Sequence, residues 1–301
     1  MEFPFRRFRY ATGEHALNTI QYLMSRLPLE INRLVMDIIF FVVYPIISLL
    51  PSFRRPLIEN LTTAFGNDLT HREIRRIARR TMRNIFHMPG DLLYYCFPHR
   101  HDRLKRDVTI SGMKHLRSAV EKGKGVIGLG AHMTGFLLLT VRFSQSDIPF
   151  VILTKDQRNT IIRNKLNHLK DINGVRYIDV DSPDKGKGEV IRSLERNELV
   201  YLIADERKKR DGLAVPFFGK KALTAVGPAV FSIKTGAPIL PIFIAKKGER
   251  FVIDILPPIH NGISGGERAV YDLTLKANRA IEDYIRRYPD QWVWTQQRWR
   301  L

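Results

Sequence analysis

A regular alternation of short apolar runs with longer amphipathic stretches, beginning near residue 112, constrains the fold of this chain most strongly. Runs that are apolar throughout are typical of strands buried on both faces, and the stretches between them repeat apolar residues at helical spacing. The alternation predicts an α/β fold with a largely parallel central sheet flanked by helices. The predicted strands are residues 126–129, 149–153, 177–180, 199–204, 239–245 and 251–256.

The amphipathic stretches predict the helices of the same fold. A short polar turn at residues 246–250 separates the last two strands and is compatible with a hairpin. In open α/β sheets, ligands bind at the carboxyl ends of the strands, which directs attention to residues 130–135, 154–158 and 205–219. The predicted helices are residues 113–121, 135–143, 160–171, 188–196, 224–235 and 267–287.

Residues 1–100 differ from the rest and are interpreted as a helical membrane-anchoring region, followed by the α/β domain at 101–301. Residues 34–50 form an apolar run of 17 residues that contains Asp37 and Pro45. As a helix it would be about 25 Å long, against a hydrocarbon core of about 30 Å. Apolar residues on all its faces and arginines at both ends favour an anchor that dips into or barely spans a membrane. The alternative is a buried core helix.

A second helical region, residues 56–97, carries a capping box at Thr70 and Glu73 and then an apolar stripe beside a basic stripe. The chain has 49 Lys and Arg against 30 Asp and Glu, so it attracts anionic partners such as acidic lipids, phosphorylated substrates or nucleic acid. The basic stripe can bind anionic headgroups, or it can be a solvated face. It contains Arg72, Arg75, Arg76, Arg79, Arg80 and Arg83.

The single cysteine, Cys96, excludes an intrachain disulfide framework and leaves a cysteine-based zinc site without thiolates. It lies in an apolar run at residues 92–97, so we expect its side chain to be buried and to fill space in the core. Neither a metal nor another cofactor is expected.

Two segments at predicted strand ends carry candidate chemistry. In GKGVIGLGAHMTGF, His132 follows a strand and precedes a helix, where it can act as a general base or simply hydrogen-bond the turn. In DERKKRDGLAVPFFGKK, the acids Asp205 and Glu206 can orient a histidine, and the basic residues after them can hold phosphate. The alternative for this second segment is a solvated loop.

A third segment, YPDQWVWTQQRWR at residues 288–300, interleaves tryptophans with arginines. Such a pattern suits a membrane interface or packing under the sheet. It also occurs in nucleic-acid binders, but no nucleic-acid motif accompanies it, and no nucleic-acid partner is expected.

These segments together, with RRPLIENLTTAFGNDLTHREIRRIARRTMRNI upstream, resemble the bacterial lipid A biosynthesis (lauroyl/myristoyl) acyltransferases of the lysophospholipid acyltransferase-like superfamily. The resemblance covers roughly residues 30–300. It implies a glycerolipid acyltransferase-like fold at the cytoplasmic face of a bacterial inner membrane. It also implies transfer of a fatty acyl chain from acyl carrier protein or acyl-CoA to a hydroxyl of a lipid A-like glycolipid or lysophospholipid.

The resemblance fails at one position. The family signature is a histidine followed by four residues and a carboxylate, and Leu137 stands where the carboxylate belongs after His132. Losing an orienting acid costs on the order of 10⁴ in rate in a comparable site. Either Asp205 or Glu206 replaces it, or His132 acts alone, or the protein is a catalytically impaired member that binds lipid or a partner protein.

Roles for further residues follow from the resemblance. Gly130 and Gly135 would leave room for the thioester near a helix N-terminus, where backbone N–H groups can stabilise an oxyanion. Three basic residues after the strand at 149–153 would meet acceptor phosphate or sugar, and five residues of the second segment would shape the acceptor and acyl pocket. For Phe217 and Phe218 the alternative is core packing. The two groups are Lys155, Arg158 and Arg163, and Arg207, Phe217, Phe218, Gly219 and Lys220.

Overall fold

The computed structural model describes residues 19, 22–155, 157, 159–179, 183–208, 211–259 and 266–299. Within the described residues, helices α1 (Leu29–Ser48), α2 (Pro51–Phe65) and α3 (His71–Tyr95) lie before the sheet in the chain. A 3-10 turn and the short helix α4 (His101–Asp107) lead into the α/β part. The predicted capping box begins α3, because the Thr70 hydroxyl accepts the Glu73 N–H while the Glu73 carboxylate accepts the Thr70 N–H.

The central sheet has seven strands in the order β1-β9-β8-β2-β5-β3-β4. The five strands β8, β2, β5, β3 and β4 run parallel to one another, while β9 is antiparallel to β8 and β1 is parallel to β9. This confirms the predicted α/β fold with a largely parallel sheet. The strands are β1 (Val108–Ser111), β2 (Val126–Gly130), β3 (Phe150–Thr154), β4 (Arg176–Asp179), β5 (Leu199–Ile203), β8 (Ile239–Lys247) and β9 (Arg250–Ile255).

All six predicted strands and all six predicted helices of this part are present, with ends displaced by a few residues. The predicted hairpin is confirmed, since Lys247 pairs with Arg250 across the turn between β8 and β9. The helices are α5 (Met113–Val120), α6 (Phe136–Ser144), α7 (Thr160–Ile172), α8 (Pro183–Glu195), α9 (Gly227–Thr235) and α10 (Gly266–Arg287).

Three strands were not predicted from the sequence. Strand β1 has only four residues, of which only Val108 is buried, so its apolar pattern is weak. A separate antiparallel hairpin, β6 (Leu213–Phe217) and β7 (Lys220–Thr224), lies within and beyond the segment for which a solvated loop was the alternative. Strand β6 is apolar but contains Pro216, which is unfavourable in strands, and β7 begins with two lysines, so neither shows a clear strand pattern.

Helices α1 and α3 pack against each other in antiparallel directions. The Asn32 side chain donates to the carbonyl of Gly90, and the carboxylate of Asp37 accepts two hydrogen bonds from Arg83. Gly90 allows this close approach, because a Cβ there would lie 2.6 Å from the Asn32 side-chain oxygen. The buried residues of the N-terminal helices and of the sheet belong to one continuous hydrophobic core, so the division near residue 100 stays a prediction.

Two smaller expectations concern packing. Cys96 is fully buried, as predicted. Trp292 and Trp294 are also fully buried, which decides for packing and against a membrane interface at these two positions. Their burial follows from the position of the C-terminal segment, residues 288–299, which crosses the end of the sheet. The Asn60 side chain of α2 donates a hydrogen bond to the Trp294 carbonyl and holds the segment there.

Candidate active site

His132 and Asp205 are brought together by the register of two neighbouring strands. Gly130, the last residue of β2, pairs with Ile203, the last residue of β5. Because the strands are parallel and aligned at their ends, the residues two positions beyond each end also meet. The His132 Nδ1 atom lies 2.8 Å from Asp205 Oδ1. The structure therefore supplies a carboxylate for His132 from β5 in place of the one that Leu137 lacks.

The carboxylate of Asp205 is fully buried and receives hydrogen bonds from three N–H groups. Besides the His132 ring, these are the backbone N–H of His132, 2.8 Å from Oδ2, and the indole N–H of Trp292, 2.5 Å from the same oxygen. All three donors are neutral when the imidazole is neutral, so none of them cancels the negative charge of Asp205. This charge can therefore stabilise a positive charge on the His132 ring. With its Nδ1–H given to Asp205, the neutral ring presents an unprotonated Nε2.

The two groups shift each other's pKa. Burial lowers the pKa of His132, but the charge of Asp205, its hydrogen bond and the charge of Glu206 outweigh burial and leave the pKa above its ordinary value. Burial raises the pKa of Asp205, but His132 and the hydrogen bonds from the ring, Trp292 and the backbone outweigh it and leave that pKa below its ordinary value. Asp205 is therefore an ionised carboxylate beside a strengthened base.

Nε2 of His132 lies on the other side of the ring from Asp205, beside Glu206. The side chain of His132 is 21% exposed, so part of it is accessible to solvent. Glu206 Oε1 lies 3.5 Å from Nε2, and its side chain is 62% exposed. Asp205 and Glu206 thus reach opposite sides of the same imidazole, but only Asp205 is buried and held by several donors.

Trp292 is a component of this site that was not predicted from the sequence. Residues 291–293 lie against the turn that holds His132: Met133 and Trp292 form an antiparallel bridge, and the Val293 N–H donates to the His132 carbonyl. The sequence signal was present in the tryptophan-rich segment, but spacing alone could not show that one indole points at a carboxylate 87 positions earlier.

The two glycines lie against side chains of other strands. A Cβ at Gly130 would overlap the hydroxyl of Tyr201, and a Cβ at Gly135 would lie 3.1 Å from the ring of Phe251. A role for these glycines in thioester binding stays a prediction. Gly130 is needed because Tyr201, on the neighbouring strand β5, crosses it on the way to the Ile242 carbonyl.

Most backbone N–H groups of the turn are also engaged. The N–H of His132 donates to Asp205, and the N–H groups of Met133, Thr134 and Phe136 donate to the carbonyls of Ala131, Gln291 and Met133, respectively. These four groups hold the turn in shape, so an oxyanion would have to be stabilised by other donors, and that role stays a prediction.

The second segment divides between the core and a separate cleft. Phe217 is fully buried against Trp292 and Trp299, which decides for core packing. Phe218 is almost fully buried, and with Gly219 and Lys220 it lines a cleft of about 410 Å³ beside α2 and Arg286 of α10. His132 does not line this cleft, so a substrate role for these residues stays a prediction.

The remaining candidate residues are placed but not tested. Arg207 is half-buried and bridges to Thr224 through its backbone, and Lys155 is exposed after β3. Arg163 is half-buried on α7. Arg158 lies outside the described residues, as do residues 209–210 of the basic cluster. Within the described part of the chain, no group of three or more His, Cys, Asp or Glu side chains is arranged to hold a metal ion.

Comparison with known proteins gives this site its context. A family model for the bacterial lipid A biosynthesis acyltransferases matches residues 20–301. The chain is similar to the phosphatidylinositol mannoside acyltransferase of Mycolicibacterium smegmatis, with 24% identity over 200 residues, or 66% of this chain and 64% of that protein. The match therefore spans somewhat less than two thirds of that relative's length.

Two further relatives are consistent with this result. The phosphatidylinositol mannoside acyltransferase of Mycobacterium tuberculosis H37Rv is 24% identical over 221 residues, 73% of this chain and 67% of that protein. The lipid A biosynthesis lauroyltransferase of Escherichia coli K12 is 22% identical over 203 residues, 66% of this chain and 63% of that protein. The resemblance drawn from the sequence motifs is thus confirmed, and the chain belongs to the bacterial lipid A biosynthesis acyltransferase family.

Proposed function

We propose that this protein is an O-acyltransferase that moves a fatty acyl chain from a thioester donor to a hydroxyl of an anionic glycolipid or a lysophospholipid. The observation that carries the proposal is the 2.8 Å contact between His132 Nδ1 and the buried Asp205 carboxylate. The family model and the relatives named as acyltransferases support it. The donor is acyl carrier protein or acyl-CoA, and the acceptor is a lipid A-like or mannoside-like glycolipid or a lysophospholipid.

The chemistry follows from the unprotonated Nε2 of His132. Nε2 takes the proton of the acceptor hydroxyl as its oxygen attacks the carbonyl carbon of the thioester. Asp205 keeps the other nitrogen protonated and stabilises the imidazolium that forms. The tetrahedral intermediate then collapses, the carbon–sulfur bond breaks, and the imidazolium returns its proton to the leaving thiolate. The new ester and the free thiol balance the atoms, and no cofactor is required.

A catalytically impaired family member is the second candidate, and Leu137 is the observation that favours it. Leu137 lies on the first turn of α6 and carries no group that can orient the imidazole. If Asp205 serves only to fix the turn, the protein would bind glycolipid or a partner enzyme without turning over.

Transfer of labelled acyl groups distinguishes the two. Purified full-length protein in detergent is incubated with labelled acyl carrier protein thioester or acyl-CoA and with a lipid A precursor or a phosphatidylinositol mannoside. We expect labelled glycolipid with the wild type, none with His132→Ala, and wild-type transfer with His168→Ala, a control at an exposed histidine on α7. Transfer that persists in His132→Ala would refute the base, and specific lipid binding without transfer by the wild type would support the impaired member.

The outer surface of α1 and α3 suggests where the protein works. Helix α1 is long and apolar enough to cross a membrane by length and composition. Only 17% of its most apolar 18-residue stretch is buried inside the protein. One face packs on α3 through Asn32, Asp37 and Phe40, and the opposite face is open to the exterior. The exposed apolar residues on and beside this helix are Ile31, Leu34, Ile38, Ile39, Phe41, Val42, Ile46, Leu49 and Leu50.

We propose that α1 lies in one leaflet rather than spanning the bilayer. The two hydrogen bonds from Arg83 to Asp37 join the middle of α1 to the charged helix α3. If α1 spanned the bilayer, these charged side chains would have to enter the hydrocarbon core, which is energetically costly. Because the helices are antiparallel, the exposed arginines early in α3 lie beside the C-terminal half of α1, where they can bind anionic headgroups. Since the proposed donors are cytoplasmic, we place the α/β part on the cytoplasmic side of a bacterial inner membrane.

Vesicle flotation tests this placement. We expect the protein to float with vesicles rich in anionic phospholipid and much less with zwitterionic vesicles, and Arg72→Glu/Arg76→Glu to reduce flotation. The control Arg268→Glu/Arg279→Glu makes the same change in net charge at exposed arginines of α10 and should float like the wild type. Equal loss in both double variants would attribute binding to overall charge and not to this surface.

A further inference from the structure

Trp292 occupies a position that packing alone does not explain. Its side chain is fully buried, and its indole N–H donates to Oδ2 of Asp205, 2.5 Å away. The same oxygen accepts the backbone N–H of His132, while Oδ1 faces the His132 ring. Two donors from different parts of the chain therefore hold Oδ2, so the carboxylate plane cannot rotate and Oδ1 stays directed at Nδ1.

The structure fixes the indole from its other sides as well. The Trp292 ring lies against Trp294 and Phe217, with centroid distances of 4.6 Å and 6.0 Å. The guanidinium of Arg298 stacks 4.6 Å from the Phe217 centroid and donates to the Leu223 carbonyl, so the hairpin β6–β7 and the C-terminal segment are held together behind the indole. The N–H of Trp292 therefore keeps one direction.

We propose that Trp292 is a positioning residue that stabilises the ionised carboxylate of Asp205 and thereby sets the pH at which His132 becomes a base. The inference rests on the proposed function and deepens it by assigning a role to the C-terminal segment. When the buried carboxylate loses one of its three hydrogen bonds, its negative charge is less well stabilised. The His132–Asp205 pair then keeps its proton to a higher pH. Without the indole N–H, the neutral form of His132 would appear only at higher pH.

Other ionisable groups near the pair do not obscure this effect. The other titratable or charged groups that the described residues place around the pair are Glu206 beyond Nε2, Arg298 behind Phe217, and Tyr201 under Gly130. None of them donates a hydrogen bond to Asp205 in the described contacts, so none can replace the indole without a rearrangement. All three remain in place when only the indole N–H is removed.

The experiment compares Trp292→Phe with Trp294→Phe. Both tryptophans are fully buried and each donates one hydrogen bond, but Trp294 donates to the Pro289 carbonyl and not to a carboxylate. The first readout is carbethoxylation of His132 by diethyl pyrocarbonate, which attacks neutral imidazole, followed by mass spectrometry of the His132 peptide between about pH 5 and pH 9. The second readout is the pH dependence of acyl transfer.

We expect Trp292→Phe to move the midpoint of His132 modification to higher pH by about one unit, as the loss of a hydrogen bond to a charged group predicts. Transfer should fall about tenfold on the acid side of the profile and recover as the pH is raised, because a one-unit shift of the acid limb is a tenfold change there. Trp294→Phe should leave both midpoints unchanged. An unchanged midpoint in Trp292→Phe, or one displaced to lower pH, would overturn the proposal.

A second variant covers the case in which Trp292→Phe does not fold. Site-specific replacement of Trp292 by 3-benzothienylalanine keeps the shape of the ring and removes only the N–H, so the same shift is expected without a packing defect. Because modification of His132 needs no substrate, this readout stands even if the wild type shows no acyl transfer. Absence of transfer with a shifted midpoint would reject the proposed function alone, and transfer with an unshifted midpoint would reject the role of Trp292 alone.

Discussion

The described residues include two histidine–aspartate pairs of nearly equal length and very different surroundings. His132 and Asp205 are 2.8 Å apart at the ends of β2 and β5, and His87 and Asp37 are 2.9 Å apart between α3 and α1. Asp205 is fully buried, and its hydrogen bonds come from His132 and Trp292. Asp37 also accepts two hydrogen bonds from the guanidinium of Arg83.

The difference shows what makes such a pair suitable for proton transfer. The charge of Asp37 is largely neutralised by an arginine, so this carboxylate joins two helices and has little charge left to polarise His87. Among the described residues no cation is in hydrogen-bond contact with Asp205, so the charge of this fully buried carboxylate acts mainly on His132. A His–Asp distance alone therefore does not identify a base; the remaining partners of the carboxylate do.

The largest expected effect is a contrast in activity between the two aspartates. Asp205→Asn should lower kcat about 10⁴-fold, because the amide can neither hold the Nδ1–H tautomer nor stabilise the imidazolium. Asp37→Asn should leave kcat of the folded protein close to the wild-type value. The measurement is acyl transfer under single-turnover conditions in the same detergent. Comparable losses of kcat in the two variants would remove the distinction between the pairs.

The second effect concerns stability and should run the other way. Asp37→Asn should lower the free energy of unfolding by about 1 kcal/mol, since it weakens hydrogen bonds with Arg83 and His87 at a site that is only partly buried. The control Asp68→Asn removes an exposed pair with Arg286 and should cost less, about 0.5 kcal/mol or below. Urea unfolding followed by tryptophan fluorescence measures both, and equal losses would show that Asp37 has no special role in holding α1.

The smallest effect tests the exposed partner of His132. The charge of Glu206 raises the pKa of His132, so Glu206→Gln should lower that pKa and move the acid limb of kcat/KM to lower pH. The shift should be roughly a few tenths of a pH unit, because the Glu206 side chain is well exposed and its charge is screened. It is opposite in sign to the shift expected for Trp292→Phe. Glu195→Gln, at an exposed position on α8, is the control, and a displacement to higher pH would contradict the assignment.

The sequence predicted several parts of the site, and its failures have identifiable causes. Strand ends pointed to His132, Asp205 and Glu206, because ligand groups collect where parallel strands end. The packing around the glycines was not predicted, because a sequence does not show which side chain lies across from a missing Cβ; for Gly130 it is Tyr201 of another strand. The hairpin β6–β7 was missed because both strands are short, β6 contains Pro216 and β7 begins with two lysines.

The sequence by itself determined the order and type of the main elements, since apolar periodicity, the capping box at Thr70 and the positions where strands end are local properties of the chain. Only the tertiary structure decided that β5 returns to lie between β2 and β3, with Gly130 opposite Ile203. Strand order and register depend on how helices cover both faces of the sheet and on where the connections cross, so they combine residues far apart in the chain. That arrangement gave His132 a carboxylate from 73 residues away, and the indole of Trp292 to hold it.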